Sequence, residues 1–112
     1  MLIYKITNNI NNKCYIGQTI KTPEERWKEH KQHAFGTHAN DVNKSLYKAM
    51  RKYGIENFSF SIIEECEYSE LNDKEIYWIN YYNSYKNGYN QTSGGNQSEP
   101  SIKFDKEFVK II

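Results

Sequence analysis

The chain reads as an α+β domain in which a β-hairpin is followed by two helices, a third strand and a third helix. Three observations predict this. Leu2 to Thr7 and Lys13 to Gln18 alternate large and polar residues on either side of an asparagine-rich turn. Thr22-Pro23-Glu24-Glu25 opens a helix, and Phe58, Phe60 and Ile62 alternate with Ser59 and Ser61 between two segments of helical periodicity. With 112 residues the chain has room for one compact core.

In the hairpin, Asn8-Asn9-Ile10-Asn11-Asn12 supplies residues that tolerate left-handed backbone. If residues whose numbers sum to 19 lie opposite one another, Tyr4 faces Tyr15 and both hydroxyls emerge on one face of the ladder. In the first helix Thr22 is the N-cap, Pro23 the first helical residue and Glu25 the partner of a capping box, and the helix runs to about Ala34. Trp27 and Ala34 share its inner face, while Arg26, His30 and His33 follow one another at i, i+4 and i+7 along a polar edge. A polar connection, Gly36 to Val42, leads to a second helix from Lys44 to Tyr53. This helix buries Leu46, Ala49, Met50 and Tyr53, turns Lys44, Lys48, Arg51 and Lys52 outward, and ends at Gly54 in a left-handed cap.

The third strand ends near Glu64. The third helix is predicted from an N-cap at Ser69 to about Tyr85, with Leu71, Trp78, Ile79 and Tyr82 on one stripe. Glu75 falls in the middle of that stripe, because at roughly 100° per residue it projects between Tyr82 and Ile79. A carboxylate on a buried stripe must be paired or must hold a cation. Asn87-Gly88 then marks a turn. The domain is expected to occupy residues 1–95, and residues 96–112 to be a linker and the start of a truncated C-terminal segment.

Bulk properties exclude several classes. No stretch approaches the roughly 18 consecutive apolar residues of a membrane span, and the N-terminus lacks the form of a signal peptide, so a cytoplasmic protein is expected. Cys14 and Cys66 stand alone, without metal-ligand or disulfide spacing. His30, His33 and His38 lack the cysteine or carboxylate that would complete a zinc pattern. The mean hydropathy of −0.91 is polar, and ten tyrosines, five phenylalanines and two tryptophans must supply much of the core. The net charge of +1 hides an asymmetry: residues 1–55 carry ten Lys/Arg against four Asp/Glu, and residues 56–112 carry five against ten. Such a chain can offer one face to a polyanion and keep carboxylates elsewhere for a cation.

Ile3-Tyr4, ten residues, Tyr15-Ile16-Gly17, an arginine in the next helix, a glutamate in a later helix and an asparagine after it together resemble the GIY-YIG nucleases. The resemblance covers about Ile3 to Gly95, and the set in this order is specific where each element alone is weak. It departs at one place, where the first motif's glycine is Leu2. The resemblance implies a three-stranded antiparallel sheet flanked by three helices and one divalent-ion site for Mg²⁺ or Mn²⁺. Glu75 matches the metal-binding glutamate, Tyr4 and Tyr15 the tyrosines that position and help activate the attacking water, and Arg26 the arginine that contacts phosphate. Asn90 matches the asparagine that supports the site, and His30 a histidine of some members. Gly17 matches the second motif's glycine and is placed, with Lys44, Lys48, Arg51 and Lys52, on the nucleic-acid-binding side. The implied function is hydrolysis of DNA phosphodiester bonds by the catalytic module of a homing or other mobile-element or phage-type endonuclease, joined to or working with a DNA-recognition domain.

The chemistry is consistent with that set. Cleavage develops negative charge on phosphate oxygens, which a hard cation and a guanidinium offset. A phenol with an ordinary pKa of about 10 needs such charge nearby to act on a proton. Plainer readings stand beside it: Tyr4 and Tyr15 as a cross-strand aromatic pair, Glu75 in a structural salt bridge with Arg26, and Asn90 serving turn geometry. A nucleic-acid-binding module without catalysis is the alternative function, and Leu2 is the feature that favours it.

Overall fold

The computed structural model describes residues 1–36 and 44–94. Its elements are β1 (Leu2–Asn8), β2 (Cys14–Thr19), α1 (Pro23–Phe35), α2 (Lys44–Tyr53), β3 (Phe58–Glu65) and α3 (Leu71–Tyr82); single 3₁₀ turns at Ile55–Asn57 and Tyr68–Glu70 lead into β3 and α3. The sheet is antiparallel with β1 in the centre, in the order β2-β1-β3. Alternation along the strands sends successive side chains to opposite faces. Tyr4, Ile6 and Tyr15 pack on one face with Ala34, Leu46, Tyr47, Ala49 and Met50 of α1 and α2. Ile3, Cys14 and Ile16 pack on the other with Leu71 and Ile79 of α3. The linker call at residues 96–112 and the connection containing His38 lie outside the described residues.

The hairpin register differs from the expected one by two residues. Tyr4 lies opposite Gly17, and Tyr15 opposite Ile6. The cause is the turn: β1 continues through Asn8, whose N–H donates to Lys13 O at 2.9 Å, and Asn12 takes the left-handed conformation at φ 64°. An even shift preserves the side-chain face, so the two tyrosines remain neighbours on a diagonal, with ring centroids 6.2 Å apart. Leu2 pairs regularly with Thr19 and Glu65 and is not among the residues of positive φ. Nothing in its backbone calls for glycine.

Three further expectations are corrected. In β3, Ile3 pairs with Glu64 but Tyr4 pairs with Ile62, so Ile63 is an inserted bulge residue. Ile62, opposite Tyr4, is 51% exposed, whereas Ile63 packs against the α3 core. In α3 the cap is not Ser69; Glu67 and Glu70 form a reciprocal cap on the preceding 3₁₀ turn. The helix stops at Tyr82 rather than Tyr85, because Asn83 adopts the left-handed conformation and the N–H groups of Asn83 and Ser84 return to Asn80 O and Ile79 O. The capping box of α1 forms as predicted, and α2 has the predicted bounds, with Tyr53 only half-buried and Tyr47 fully buried in its place.

The outer edge of β2 is closed by the segment after α3. Tyr89 N–H donates to Cys14 O at 2.9 Å. The Asn90 amide then imitates a strand residue: Oδ1 accepts from Ile16 N–H at 2.8 Å and Nδ2 donates to Ile16 O at 2.9 Å, while Ser84 Oγ donates to the same Oδ1 at 2.7 Å. An Asn90→Ala variant leaves the Ile16 groups without these partners, which costs about 1–3 kcal/mol. A lowered denaturation midpoint at unchanged m-value is expected; an unchanged midpoint would show that the clip carries no stability.

Candidate active site

The site is built around the hydroxyl of Tyr4, in the middle of the central strand and fully buried. Space for its ring comes from Gly17, directly across the ladder. A Cβ on Gly17 would overlap the Tyr4 hydroxyl and lie 2.5 Å from Tyr4 Cζ and 2.9 Å from the Tyr15 ring. Phe60 stacks on the opposite side of Tyr4, with centroids 4.8 Å apart. Gly17, placed by its motif on the nucleic-acid side, thus also shapes the phenol pocket.

From α1, His30 Nε2 lies 2.6 Å from Tyr4 Oη, and Arg26 Nε donates to the same oxygen at 3.0 Å. The spacing of Arg26 and His30 by one helical turn delivers both to one oxygen. His30 is not on a polar edge: it is 0% exposed, and its Nδ1 lies 2.9 Å from the hydroxyl of Tyr47 on α2. Arg26 Nη1 donates to Glu29 Oε1 at 2.9 Å, and Glu29 also pairs with Lys21. Burial opposes the charge of Arg26, but Tyr4, Glu29 and Tyr15 outweigh it and raise its pKa. Arg26 is a fixed cation.

Glu75, on α3, is 2% exposed. Gln18 Nε2 donates to its Oε1 at 3.2 Å and to Asn72 Oδ1 at 2.9 Å. The backbone at Gly94 lies against the same side chain, so that a Cβ there would stand 3.4 Å from Glu75 Oε1. Glu75 acts on Tyr15 through the field. Burial raises the pKa of Tyr15, and the negative charge of Glu75 raises it further, against the opposing charge of Arg26. Burial likewise raises Tyr4 well above its ordinary value, with Tyr15 adding to the shift and Arg26 opposing it.

Of the residues singled out in the sequence, Tyr4, Tyr15, Arg26 and His30 therefore meet in one cluster, and Glu75 borders it through Tyr15. Asn90 sits behind them on the β2 edge. Three of the α2 cations stand apart from the cluster: Arg51 donates to Ala34 O at 2.8 Å and Lys52 lies over the Tyr53 ring, while Lys48 is exposed; the Lys44 side chain lies outside the described residues. Gln18, Glu29 and Tyr47 were not anticipated. Glu29 was legible as the i+3 partner of Arg26; Tyr47, adjacent to Leu46 on an amphipathic helix, gave no signal distinguishing it from a rim residue. Beside Arg26, a groove of about 340 Å³ is lined by Gln18, Thr19, Ile20, Lys21, Arg26, Glu29, Tyr68 and Leu71. A larger depression of about 510 Å³ between β3 and α3, lined by Ile63, Glu64, Asp73, Lys74, Tyr77 and Trp78, contains none of the clustered residues.

Burial, reinforced by Arg26 and His33 and opposed by Glu29, lowers His30 from 6.5 to about 3. The folded protein therefore holds this imidazole neutral where the unfolded chain binds a proton. Its stabilising effect is complete above pH 6.5 and is lost as the pH falls toward 3. Wild type is expected to lose stability on acidification with an extra slope approaching about 1.4 kcal/mol per pH unit relative to His30→Gln. Denaturant midpoints of both proteins between about pH 7 and about pH 5 check this; parallel pH profiles would contradict it.

The chain matches the GIY-YIG catalytic domain family over residues 1–90. It is 40% identical over 91 residues to Intron-associated endonuclease 1 of Enterobacteria phage T4, covering 79% of this chain and 35% of that protein. Uncharacterized protein 019R of Invertebrate iridescent virus 6 is 34% identical over 117 residues, covering 97% of this chain and 40% of that protein. The chain thus spans well under half the length of these relatives. The solved catalytic domain of homing endonuclease I-TevI superposes with a TM-score of 0.69 at 38% identity, covering 80% of this chain and 96% of that one. With the family match spanning the whole sheet, all three helices and the tyrosine cluster, the chain belongs to the GIY-YIG family, as a nuclease domain similar to that of homing endonuclease I-TevI.

Proposed function

We propose that this domain is the catalytic module of a metal-dependent DNA endonuclease of the mobile-element or phage type, hydrolysing phosphodiester bonds. The observation that carries the reading is the juxtaposition of a fixed guanidinium on the wall of a groove with two buried phenols and a buried carboxylate. A merely structural hairpin has no use for a histidine and an arginine converging on one buried hydroxyl.

The residues present fit a hard divalent ion such as Mg²⁺ or Mn²⁺. Among the described residues no group of three or more His, Cys, Asp or Glu side chains that could hold a metal stands together; the carboxylate bordering the cluster is Glu75, whose Oε1 accepts from the Gln18 amide that also bonds Asn72 Oδ1. That set suits an ion that keeps several waters and takes substrate oxygens, and does not suit four-coordinate zinc. When bound, such an ion supplies positive charge that offsets the field of Glu75 at Tyr15 and the charge developing on the phosphate.

The chain's own groups supply the rest. Two donors of Arg26 are committed to Tyr4 and Glu29. The remaining guanidinium protons are directed to a phosphate oxygen in the adjoining groove, and their positive charge cannot be lost. Tyr4 is sealed from solvent, whereas Tyr15 retains 8% exposure and lies within the field of Glu75. Tyr15 is accordingly the phenol that meets the attacking water, and Tyr4 the one that supports it. Exposed Lys48 on α2 belongs to the basic half of the chain and adds sequence-independent attraction to DNA. Base recognition is assigned to a further domain, in keeping with the small share of its relatives' length that the domain spans.

Supercoiled plasmid incubated with the protein and Mg²⁺ is expected to be nicked or linearised, and EDTA to stop the reaction. Glu75→Ala is expected to abolish cleavage, and Tyr15→Phe and Arg26→Ala to slow it roughly 10²–10³-fold, with unchanged folding by circular dichroism. Salt-sensitive DNA binding without any cutting, at high concentration of pure protein, would show a binding module in place of an enzyme.

A further inference from the structure

The hydrogen-bond chain that begins at Tyr4 does not end at His30. It continues through His30 Nδ1 to Tyr47 Oη at 2.9 Å and from there toward His33 Nδ1 at 3.5 Å, on the half-exposed side of α1. Tyr47 is 1% exposed and comes from α2, whose Leu46, Ala49 and Met50 pack on the same core as Tyr4 and Tyr15. We propose that Tyr47 is a positioning residue for the nuclease reaction: its phenol oxygen accepts the Nδ1 proton of His30, which fixes the imidazole tautomer and thereby the direction of every hydrogen bond from His30 to the substrate water. This rests on the nuclease reading above.

The distances give the direction. A separation of 2.6 Å at His30 Nε2 is short for an N–H donor and usual for an O–H donor, so Tyr4 donates to Nε2. A separation of 2.9 Å at Nδ1 is ordinary for N–H donating to oxygen. A neutral imidazole has one donor and one acceptor nitrogen, so the two assignments require each other. The consequence passes down the chain. With its proton on His30 and one lone pair taken by Arg26 Nε, the Tyr4 oxygen keeps one lone pair that can accept from Tyr15, its neighbour on the ladder diagonal. A Tyr15 hydroxyl that donates to Tyr4 keeps its lone pairs for a hydrogen bond from water, and it can take that water's proton only as its own passes to Tyr4. In the opposite tautomer, Arg26 and His30 would occupy both lone pairs of Tyr4; Tyr4 would donate to Tyr15, and Tyr15 would present a proton to the water it must activate. Tyr47 selects the productive polarity from behind the site, without touching substrate.

The test is Tyr47→Phe, which keeps the ring and removes the hydroxyl, both the acceptor for His30 and the contact toward His33. Side-chain ¹⁵N NMR of histidine-labelled protein reads the tautomer of His30 directly. Wild type is expected to show Nδ1 protonated and Nε2 bare, and Tyr47→Phe to show a mixture or the reverse. If about one molecule in ten keeps the productive tautomer, kcat falls about tenfold while KM for DNA is unchanged. A wild-type spectrum with Nε2 protonated overturns the proposal and needs no variant, so a misfolded Tyr47→Phe would not shield it. An unchanged tautomer and unchanged kcat in a folded Tyr47→Phe overturn it as well. Absence of cleavage by wild type would instead count against the nuclease reading, while the NMR result would still decide whether Tyr47 sets the polarity.

Discussion

Everything in the site depends on how the hydroxyl of Tyr4 is enclosed. It lies on the central strand with neither solvent nor backbone to satisfy it, and a buried hydroxyl without partners costs a few kcal/mol. Gly17 makes room on one side, Phe60 stacks on another, and His30 and Arg26 come down from α1 to bond the oxygen. These contacts couple the sheet to the helix through polar groups, so the strand register, the rotation of α1 and the depth of His30 are set together. A change of one residue in the hairpin register would turn Tyr4 to the α3 side and leave His30 and Arg26 buried without it.

Much of this was legible in the sequence. The start of α1 follows from Thr22, Pro23 and Glu25, because each removes or satisfies an N–H group that the first turn leaves open. The anomalous position of Glu75 was visible from helical projection alone. What could not be read was set by the closure of turns and by contacts distant in sequence. The register shift turned on how four loop residues close between Asn8 and Lys13, and the bulge at Ile63 on packing against α3. The end of α3 at Asn83 was hidden by Tyr85, which continues the aromatic pattern without continuing the helix. His30 looked like the middle of a polar edge because its partners, Tyr4 and Tyr47, come from elements 26 and 17 residues away.

The charge asymmetry of the chain has a counterpart in the site. The guanidinium comes from the basic half and the carboxylate from the acidic half, and β2 stands between them, carrying Tyr15 on one face and Gln18 on the other. Arg26 lowers the pKa of Tyr15 and Glu75 raises it, so the phenol lies between opposed fields with burial added to the unfavourable side. In the proposed reaction, positive charge beside Glu75 would tip that balance.

The most direct test of the account is the position of Mn²⁺, located by its anomalous scattering in crystals of the domain with a short DNA duplex. The account predicts one ion on the Glu75 carboxylate, with a phosphate oxygen in reach of Arg26 and a water between the ion and Tyr15. An ion bound elsewhere, or a duplex whose phosphates pass by the Arg26 groove, would contradict it.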